Sequence, residues 1–403
     1  MDELDSSFEG SYAHQDLKKR LLNNDLYAIK DVIVPELRKD EYKGCSGKIC
    51  VIGGSEVYSG AVYLSSISTM KVGGDLCFVI TTEENKYALK SYSCELIVYP
   101  YLYTKKSYIK EIENSPLDKC IKYLLERIDA CVVGPGLGEI DEFTEECLIY
   151  ILEKFIEKNI FLILDADIIQ FIMTNRKIFN IIKNYKNSLL TPNINELRKM
   201  LTHLNNNNII NEDIKNIDFK HLTVYKIIQY AHALKSVLNG PKILIKGFHD
   251  VYISDHFFFV FFMKRQCLKR SGGFGDILAG IVSVFLCWAS KIIKQGIELK
   301  DIITTKETLL SQYFKDTVYT NTHVQNNELL QTVAIFNASY FLKYLCKKCF
   351  RKNHRGLLAS DVVNSIPPNF YRIYDLKKKK IKKNQMKNNK MKNNKIKINK
   401  IKK

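Results

Sequence analysis

Short apolar runs alternate with amphipathic stretches along most of this chain, starting near residue 48. The apolar runs end at glycine or at an acid, as in KICVIGG (residues 48–54), FLILDAD (161–167) and PKILIKG (241–247). Such runs are typical of strands buried on both faces, and the stretches between them have the spacing of helices. The pattern therefore predicts an α/β fold, with a three-layer α/β/α arrangement around a mainly parallel, doubly wound central sheet.

The same pattern predicts one large domain over residues 41–370, with less regular segments around it. Residues 1–40 have apolar side chains at roughly helical spacing, which predicts an N-terminal helical extension. Two asparagine-rich polar stretches, near 204–220 and 318–329, predict surface insertions. The lysine- and asparagine-rich residues 371–403 predict a disordered tail, because this composition cannot bury enough apolar area to fold.

The net charge of +18 comes mostly from that tail. Residues 376–403 contain 14 lysines and no acid, so the rest of the chain carries only +4. The part of the chain before the tail therefore lacks the strongly basic surface that is typical of nucleic-acid-binding proteins. The tail suits loose attachment to RNA or anionic lipid, but compositional bias explains it more simply, and we do not expect it to contact nucleic acid.

Cysteine use and the N-terminus indicate the compartment. The 11 cysteines show no framework spacing, and Cys346 and Cys349 form a single CxxC without the second pair that a zinc site needs. Reduced thiols are the simpler interpretation.

The opening MDELDSSFEG lacks the regions of a signal peptide, and no apolar run reaches the roughly 18 residues that span a bilayer. We expect a soluble, cytoplasmic protein with no membrane partner; an unusual organelle signal is the alternative.

Unusual residues follow five of the predicted strands. They are the glycine pair at 53–54, GPGLG (134–138), DAD (165–167), TPNINEL (191–197) and KG (246–247). The carboxyl ends of parallel strands lie at one edge of a sheet, where ligands bind in open α/β folds. We therefore expect these residues to converge on one site.

A further motif, SGGFGDILAG (271–280), places a single acid beside a glycine-rich turn. Gly272, Gly273 and Gly275 allow positive φ and close approach to a ligand, and the apolar residues 277–289 predict a buried helix. The first NH groups of a helix are unpaired and form an anion site. Asp276 lies among these donors, where it can take the proton of a hydroxyl that attacks a γ-phosphoryl group. Helix N-capping is its alternative role.

Three other acids are candidate metal ligands. Strand alternation puts the side chains of Asp165 and Asp167 on opposite faces, so at most one of them points into the cleft. Either acid, with Glu196, suits Mg²⁺ held through water. The alternatives are helix capping by Asp167 and by residues 193–196, and a merely solvated cation at Lys246.

Several common catalytic patterns are missing from the sequence. GPGLG is not followed by the GK[ST] of a P-loop, and no full GxGxxG with a ribose-binding acid is present. No HExxH, EF-hand or Ser-His-Asp pattern is found, and the eight histidines do not cluster. P-loop ATPase, dehydrogenase, hydrolase and structural-metal functions are therefore disfavoured.

Six motifs occur in an order that resembles the ATP-dependent (S)-NAD(P)H-hydrate dehydratases, repair enzymes with a ribokinase-like fold. The motifs are KGCSGKICVIGGSEVYSGAVYLSSISTMKVGGDL, VVGPGLG, DAD, TPNINEL, LIKG-x-x-D and SGGFGDILAG, within residues 32–368. The resemblance implies a hydro-lyase that phosphorylates the ring hydroxyl of NADH hydrate or NADPH hydrate with ATP and then eliminates phosphate. It also implies Mg²⁺ as cofactor, ATP as co-substrate and a separate NAD(P)H-hydrate epimerase as functional partner, and a homo-oligomer is compatible with it.

The resemblance also implies site residues, with Asp276 as the catalytic base. The positions that match the dinucleotide-hydrate site are Ala61, Gly136, Gly138, Asn193, Ile194, Asn195, Glu196, Leu197, Arg198, Lys199 and Asp276. The positions that match the ATP site are Lys246, Gly247, Phe248, His249, Asp250, Ser271, Gly272, Gly273, Phe274, Gly275, Asp276, Ile277, Leu278, Ala279 and Gly280. Asp165, Asp167 and Glu196 are the expected metal positions, through bound water.

Three positions depart from the family pattern. Ile194 stands where many members have histidine, Ile168 where many have glycine, and Phe274 where relatives carry a small or polar residue. We expect Ile194 to lack a polar contact, Ile168 to alter the turn geometry, and Phe274 to crowd or stack against the nucleotide.

Two other functions stay open at the level of sequence. A ribokinase-like kinase of a small alcohol, such as a vitamin, would share Asp276 and the glycine turn but would release a stable phosphoester. A non-catalytic nucleic-acid-binding protein would act through the basic tail, so deleting residues 376–403 would abolish its function.

Overall fold

One sheet of ten strands runs through the computed structural model, which describes residues 19–207, 217–219, 222–296 and 323–376. The strands are β1 (Lys19–Arg20), β2 (Lys48–Ile52), β3 (Leu76–Ile80), β4 (Ile97–Tyr99), β5 (Ala130–Val133), β6 (Phe161–Leu164), β7 (Ser188–Leu190), β8 (Lys242–Ile245), β9 (Asp250–Ile253) and β10 (Phe257–Phe261). Every residue of β5 to β9 is buried, as expected for strands covered on both faces.

The strand order is β1-β10-β9-β8-β7-β6-β5-β2-β3-β4. Neighbouring strands are parallel except around β9, which runs against both β8 and β10. The order reverses between β5 and β2, which pair directly, with Val51 opposite Val132. This reversal is the switch point at which open α/β sheets leave a crevice for ligands.

Twelve α-helices lie in the described residues. They are α1 (Asn23–Ala28), α2 (Gly60–Val72), α3 (Lys86–Tyr92), α4 (Pro116–Leu125), α5 (Glu142–Glu157), α6 (Asp167–Thr174), α7 (Arg176–Ile182), α8 (Ile194–Asn206), α9 (Val224–Leu238), α10 (Phe274–Lys294), α11 (His323–Asn353) and α12 (Ala359–Phe370). Short 3₁₀ turns and a π-helical turn, Tyr371–Asp375, complete the described structure.

Alternate side chains of the strands enter two separate cores. Ile49 and Val51 of β2 pack with helices that include α2, α10, α11 and α12, whereas Cys50 and Ile52 pack with α4 to α9. Helices therefore cover both faces of the sheet, because strand side chains point alternately to either side. The predicted three-layer α/β/α arrangement is confirmed.

Helix α10 lies inside one of these cores, and every residue from 277 to 289 is buried, as the sequence predicts. Its length and composition would suffice to cross a membrane, which holds for no other helix in the described ranges. Most of its apolar stretch is buried inside the protein, against α2 and α11. A side chain at Gly280 would come within 2.2 Å of the backbone oxygen of Ser65 in α2, so glycine permits this close packing.

The N-terminal segment differs from the predicted helical extension. Within residues 19–40 the α-helix is limited to Asn23–Ala28, a 3₁₀ turn follows at Lys30–Val32, and Lys19–Arg20 adds a parallel edge strand to β10. Leu21, Leu26 and Ile29 are buried in the core that contains α11, so this segment packs as part of the main body. Residues 1–18 lie outside the described residues.

Both predicted insertions are partly wrong, because helices extend into them. Leu204 is fully buried within α8, and Leu329 is buried within α11. The tail also begins later than predicted: Tyr374 is buried, and its hydroxyl donates to Asn337 Oδ1 at 3.0 Å. Residues 208–216, 220–221, 297–322 and 377–403 lie outside the described residues.

Candidate active site

Asp276 is the third residue of α10, at the carboxyl edge of the sheet. Gly273 caps the helix with a φ of 91°, a left-handed conformation that glycine adopts without strain. A side chain on Gly273 would meet Leu64 Cδ1 at 2.5 Å and Ala359 Cβ at 2.7 Å. Since Gly273 occupies the N-cap position, the alternative role of Asp276 as the N-cap is wrong. The carboxyl instead lies among the free amides of the first turn.

Burial raises the pKa of Asp276 to about 7, and the negative charge of Asp165 adds to the rise, while Lys246 opposes it. A carboxyl with this pKa is a carboxylate about half of the time at neutral pH. General bases are effective when their pKa lies near the working pH. The environment therefore brings the pKa of this carboxyl into the range that suits a general base.

Asp165, Thr191 and Lys246 bring the ends of three adjacent strands together. Thr191, after β7, donates to Asp165 Oδ1 at 2.6 Å, and the Lys246 ammonium, after β8, forms an ion pair with the same oxygen. Burial disfavours the charged lysine, but the carboxylates of Asp165 and Glu196 raise the pKa of Lys246 overall. Lys246 is therefore a partly buried, paired cation, and the alternative of a solvated lysine is wrong.

The glycine turn approaches this ion pair closely. A Cβ on Gly275 would lie 3.2 Å from Lys246 Nζ and 4.0 Å from Asp165 Oδ2. Asp165 Oδ2 is itself buried and has no hydrogen-bond partner among the described residues. An unpaired, buried carboxylate oxygen close to Asp276 suits a polar group of a ligand.

The charges of Asp165 and Asp167 both reach Asp276, although strand alternation predicts that at most one of the two acids points into the cleft. Both acids raise the pKa of Asp276, so both act on the site. Alternation ends at Leu164, because Ala166 takes a φ of 56°, which is strained for a residue with a side chain. Asp167 Oδ2 accepts from the backbone NH of Gly138 at 2.9 Å, and burial raises the pKa of Asp167.

The predicted metal positions are not gathered as direct ligands. No group of three His, Cys, Asp or Glu side chains in the described ranges could hold a metal ion directly. Glu196 accepts from the backbone NH of Asn193 at 2.8 Å and completes a capping box at the start of α8. Burial raises the pKa of Glu196, and the nearby Asp165 and Asp167 add to the rise. Acids this close, with Asp165 Oδ2 unpaired, fit a hydrated ion better than a directly ligated one.

The other predicted dinucleotide positions separate into site and packing residues. Ala61 and Gly136 come together, since a Cβ on Gly136 would lie 3.3 Å from that of Ala61. Leu197 is fully buried in the core, so its side chain is not available to a ligand. Ile194 also packs against that core, whereas Asn195, Arg198 and Lys199 are exposed.

The predicted ATP positions form a turn and a helix start. Asp250 Oδ1 accepts from the NH of Gly247 at 3.0 Å, and the ring of His249 lies 5.1 Å from the exposed Phe248. Ser271 and Gly272 lie in the loop that leads to α10, and Phe274 packs partly against the core. The remaining predicted residues are buried within α10 and serve the packing of the helix; they are Ile277, Leu278, Ala279 and Gly280.

Ile168 does not alter the turn geometry in the expected way. It lies within α6 and is fully buried, and the positive φ falls on Ala166 instead. The neighbouring GPGLG turn is fitted tightly to this segment, since a Cβ on Gly134 would lie 1.7 Å from the backbone oxygen of Asp165.

Sequence reasoning missed Lys343, which lies on α11, 96 residues after Gly247. Its ammonium donates to the backbone oxygen of Gly247 at 2.8 Å and lies 3.1 Å from Asp250 Oδ1. Lys343 therefore contacts the turn of residues 247–250, part of the predicted ATP site, at its backbone and at Asp250. No local pattern marks this lysine, because its contacts depend on the packing of α11 beside the sheet.

Comparisons with known proteins agree with the motif order. The family model for NAD(P)H-hydrate dehydratase matches residues 49–314. The ATP-dependent (S)-NAD(P)H-hydrate dehydratase of Entamoeba histolytica is 32% identical over 346 residues, which cover 86% of this chain and 94% of that protein. The enzyme of the same description from Vitis vinifera is 35% identical over 284 residues, which cover 68% of this chain and 74% of that protein.

Solved structures support the fold. A ribokinase-like superfamily protein from Enterococcus faecalis matches with a TM-score of 0.57 and 17% identity, over 90% of this chain and 99% of that chain. The ADP/ATP-dependent NAD(P)H-hydrate dehydratase of Bacillus subtilis, co-crystallised with ATP/Mg²⁺, matches with a TM-score of 0.54 and 18% identity, over 86% and 96%. At these identities the matches establish a ribokinase-like fold.

Proposed function

This chain belongs to the NAD(P)H-hydrate dehydratase family, and from that premise we propose how its residues perform the family's reaction. The enzyme is a hydro-lyase that dehydrates the S form of NADH hydrate and NADPH hydrate at the expense of ATP. The products are NAD(P)H, ADP and phosphate. The observation that carries the assignment of residues is the carboxyl of Asp276, with a pKa raised to about 7, at the amide-lined start of α10.

Asp276 takes the proton from the hydroxyl of the hydrated nicotinamide ring. The freed oxygen attacks the γ-phosphorus of ATP, the bond to the bridging oxygen breaks, and ADP leaves. Phosphorylation turns a poor leaving group into a good one. Loss of phosphate and of a proton from the neighbouring ring carbon then restores the double bond.

The glycine turn stabilises the charge that develops during phosphoryl transfer. The free amides of residues 272–275 point outward at the positive end of the α10 dipole, and they need no rearrangement when charge develops. Lys246 is held by Asp165 and Thr191 in a fixed position beside this turn. Fixed donors of this kind are worth about 10²–10³-fold each in rate.

A magnesium ion, when bound, would neutralise the phosphate charges of ATP beside Asp165, Asp167 and Glu196. Burial raises the pKa values of Asp167 and Glu196, and the charge of Asp165 adds to both rises, so a cation here would stabilise the ionised carboxylates. These acids would hold the ion through water, since Asp167 and Glu196 already accept hydrogen bonds from backbone NH groups.

Two further assignments are proposals about the cellular setting. The described cysteines are all free, which supports a reducing, cytoplasmic location. The curated relatives are named for the S form, so a separate epimerase would be needed to bring the R form into the reaction.

Incubation of the purified protein with NADH hydrate, ATP and Mg²⁺ tests the reaction. We expect NADH, ADP and phosphate to form in equal amounts. A stable phosphoester without NADH would instead indicate a ribokinase-like kinase of small alcohols. No ATP turnover would contradict both activities.

The matched variant is Asp276→Asn, which keeps the size of the side chain but cannot accept a proton. We expect turnover to fall by about 10²–10⁴-fold, the usual contribution of a general base. ATP binding, measured by calorimetry, should change little. Turnover close to that of the unsubstituted protein would show that another group is the base.

A further inference from the structure

Two acid-free segments of the chain are rich in cations. Four of the seven residues 264–270 and six of the thirteen residues 343–355 are lysine or arginine. No aspartate or glutamate occurs in residues 262–275 or in residues 340–360. The net charge of +4 before the tail is an average over the chain, so it does not show whether these distant segments form one basic surface.

The fold packs the two segments together. Lys347, on α11, donates from Nζ to the backbone oxygen of Lys264 at 2.7 Å. Lys269 donates from Nζ to the backbone oxygen of Arg355, just after α11, at 2.7 Å. These lysines hold the loop that follows β10 against the end of α11. Residues 264–270 and 343–355 therefore form one surface, which we call the basic face.

The positive charges of the basic face are crowded and mostly unpaired. Burial lowers the pKa of Lys347, and the charges of Arg351 and Arg265 lower it further. Lys343 alone among these lysines and arginines forms an ion pair with an acid of the described residues, Asp250. Like charges gathered without acids repel one another, so an anionic partner would stabilise this surface.

Two exposed leucines lie among these cations. Leu268 is 76% exposed and Leu358 is 56% exposed. The side chain of Lys269, next to Leu268, donates to the backbone oxygen of Leu357, so both leucines lie in the same region. Aliphatic side chains combined with lysine and arginine are typical of surfaces that enter the headgroup region of a membrane. Single-stranded nucleic acid is bound instead with aromatic rings that stack on bases.

We propose that the basic face binds the surface of a membrane that contains anionic phospholipids, with Leu268 and Leu358 entering the headgroup region. The lysines and arginines would pair with lipid phosphates and carboxylates, and each cation near such a surface adds about fivefold to binding. The cytoplasmic leaflet of cell membranes carries these lipids. The proposal goes beyond the proposed function, because no step of the reaction depends on it. It replaces the sequence-based expectation of a protein without a membrane partner.

Sedimentation with vesicles measures this binding. The full-length protein is mixed with vesicles of phosphatidylcholine alone, or of about three parts phosphatidylcholine to one part phosphatidylserine. We expect tighter binding to the mixed vesicles, and it should weaken as added salt screens the charges. The lysine-rich tail is present in every variant, so a difference among variants belongs to the substituted positions.

The basic-face variant combines Lys264→Gln, Arg265→Gln and Arg351→Gln, all at exposed positions. It should bind the mixed vesicles at least about tenfold more weakly, because three cations near the lipid are lost. The matched control removes the same charge around α7, whose apolar side chains pack in the core on the other face of the sheet. This control combines three substitutions at exposed positions, Arg176→Gln, Lys177→Gln and Lys183→Gln. It should change binding less than about twofold, because these charges lie beyond the screening distance from the lipid.

Two substitutions at Leu268 distinguish a membrane from a nucleic acid. Leu268→Ser keeps every charge but removes apolar area, so vesicle binding should fall about fivefold, while binding of a single-stranded RNA oligonucleotide should not change. Leu268→Trp should show a blue shift of its fluorescence with mixed vesicles, because the indole leaves water. Tyr123→Trp, at an exposed position on α4, is the control and should show no shift. The native Trp288 is buried and common to both variants.

Thermal unfolding of each variant checks that the fold is retained. Vesicle binding by the basic-face variant that equals that of its control, or no fluorescence shift for Leu268→Trp, would overturn the proposal. RNA binding that falls with the basic-face charges, without any effect of Leu268→Ser on vesicle binding, would make this a nucleic-acid surface instead. Turnover of NADH hydrate without vesicles should be equal in all these variants. If no variant and no unsubstituted protein turns it over, the proposed function is wrong, and the binding results still decide the basic face.

Discussion

At the scale of the residue, the site is organised around one carboxyl that burial keeps partly protonated. The pKa of Asp276 is raised by burial and by Asp165, and it is lowered by Lys246. The ammonium of Lys246 thus has two effects. It offsets most of the negative charge of Asp165, with which it forms an ion pair, and it limits how far the pKa of Asp276 can rise. A base with a pKa far above 7 would rarely be ionised, and one near 4 would be a weak proton acceptor.

The pH dependence of kcat/KM follows from this carboxyl. The base must be ionised, so activity should rise with pH through about 7 and then level off, and it should be about tenfold lower at pH 6 than at pH 8. Asp167→Asn removes one negative charge that raises this pKa, so the midpoint should move to lower pH. An activity that rises towards acid pH, or a midpoint near 4, would contradict the assignment.

We propose that Lys343 positions the ATP turn, residues 247–250 of the predicted ATP site. Lys343→Met removes the donor to the backbone oxygens of Gly247 and Phe248, and it removes the ion pair with Asp250. We expect KM for ATP to rise about tenfold with kcat changed less than about twofold, because the turn loosens while Asp276 stays in place.

The control for Lys343 is Lys347→Met, one helical turn further along α11, whose ammonium donates to the backbone oxygen of Lys264. It should leave KM for ATP unchanged, and Lys343→Arg should restore most of the loss. A fall in kcat alone in the Lys343 variant would show a role other than holding the nucleotide turn.

At the scale of the element, the start of α10 depends on one glycine. Gly273 combines a φ of 91° with contacts that leave no room for a side chain, and Gly272 beside it has open space around its Cβ position. Gly273→Ala should lower the free energy of unfolding by about 1–3 kcal/mol through backbone strain alone, with more from the clash. Gly272→Ala should change it little.

Urea unfolding of both variants measures this difference, and turnover of the folded Gly273 variant shows whether the amides moved. If both alanine variants were equally stable, the tight cap would not be a constraint on the helix start. The comparison is informative because the two glycines are adjacent and look the same in SGGFGDILAG.

The elements differ in how well the sequence predicts them, and the reason is physical. The strands were predictable because runs such as residues 161–164 are buried on both faces and end at turn residues. The N-terminal helix was predicted too long, since the apolar spacing of Leu21, Leu26 and Ile29 also fits a strand followed by a short helix on the same core. Leu204, at the end of α8, is buried, but the asparagine run that follows it in the sequence is typical of a surface loop, so its burial was not predicted.

The site was predictable where it depends on strand ends and unpredictable where it depends on packing. Asp165, Lys246 and Asp276 follow motifs that parallel strands bring to one edge. Strand alternation failed at Asp167, because the positive φ of Ala166 breaks the strand geometry. Lys343 could be found only from the structure, since a helix far along the chain places it against the ATP turn.

At the scale of the whole molecule, the sheet edge separates the reaction into neighbouring regions. Along the strand order, the turn of residues 247–250 after β8 comes first, then the acids Asp165 and Asp167 after β6, and then a cavity of about 310 Å³ lined by residues after β5, β2, β3 and β4. The fixed turns between them, such as GPGLG against the backbone of Asp165, leave little freedom for the site to rearrange. A ligand that binds along this edge would meet a preformed surface, which reduces the entropy lost on binding.

The C-terminal limit of this body can be tested by truncation. Phe370 and Tyr374 pack with Phe285 and Phe341, and the Tyr374 hydroxyl donates to Asn337, so the chain contributes to the core as far as Tyr374. Ending the chain after Leu376 should preserve turnover and thermal stability, because the lysine-rich remainder supplies no part of the described site. Ending it after Asn369 should lower the free energy of unfolding by at least about 3 kcal/mol, the usual loss for one large buried ring. Loss of turnover in the longer truncation, with the fold intact by circular dichroism, would instead assign a functional role to the basic tail.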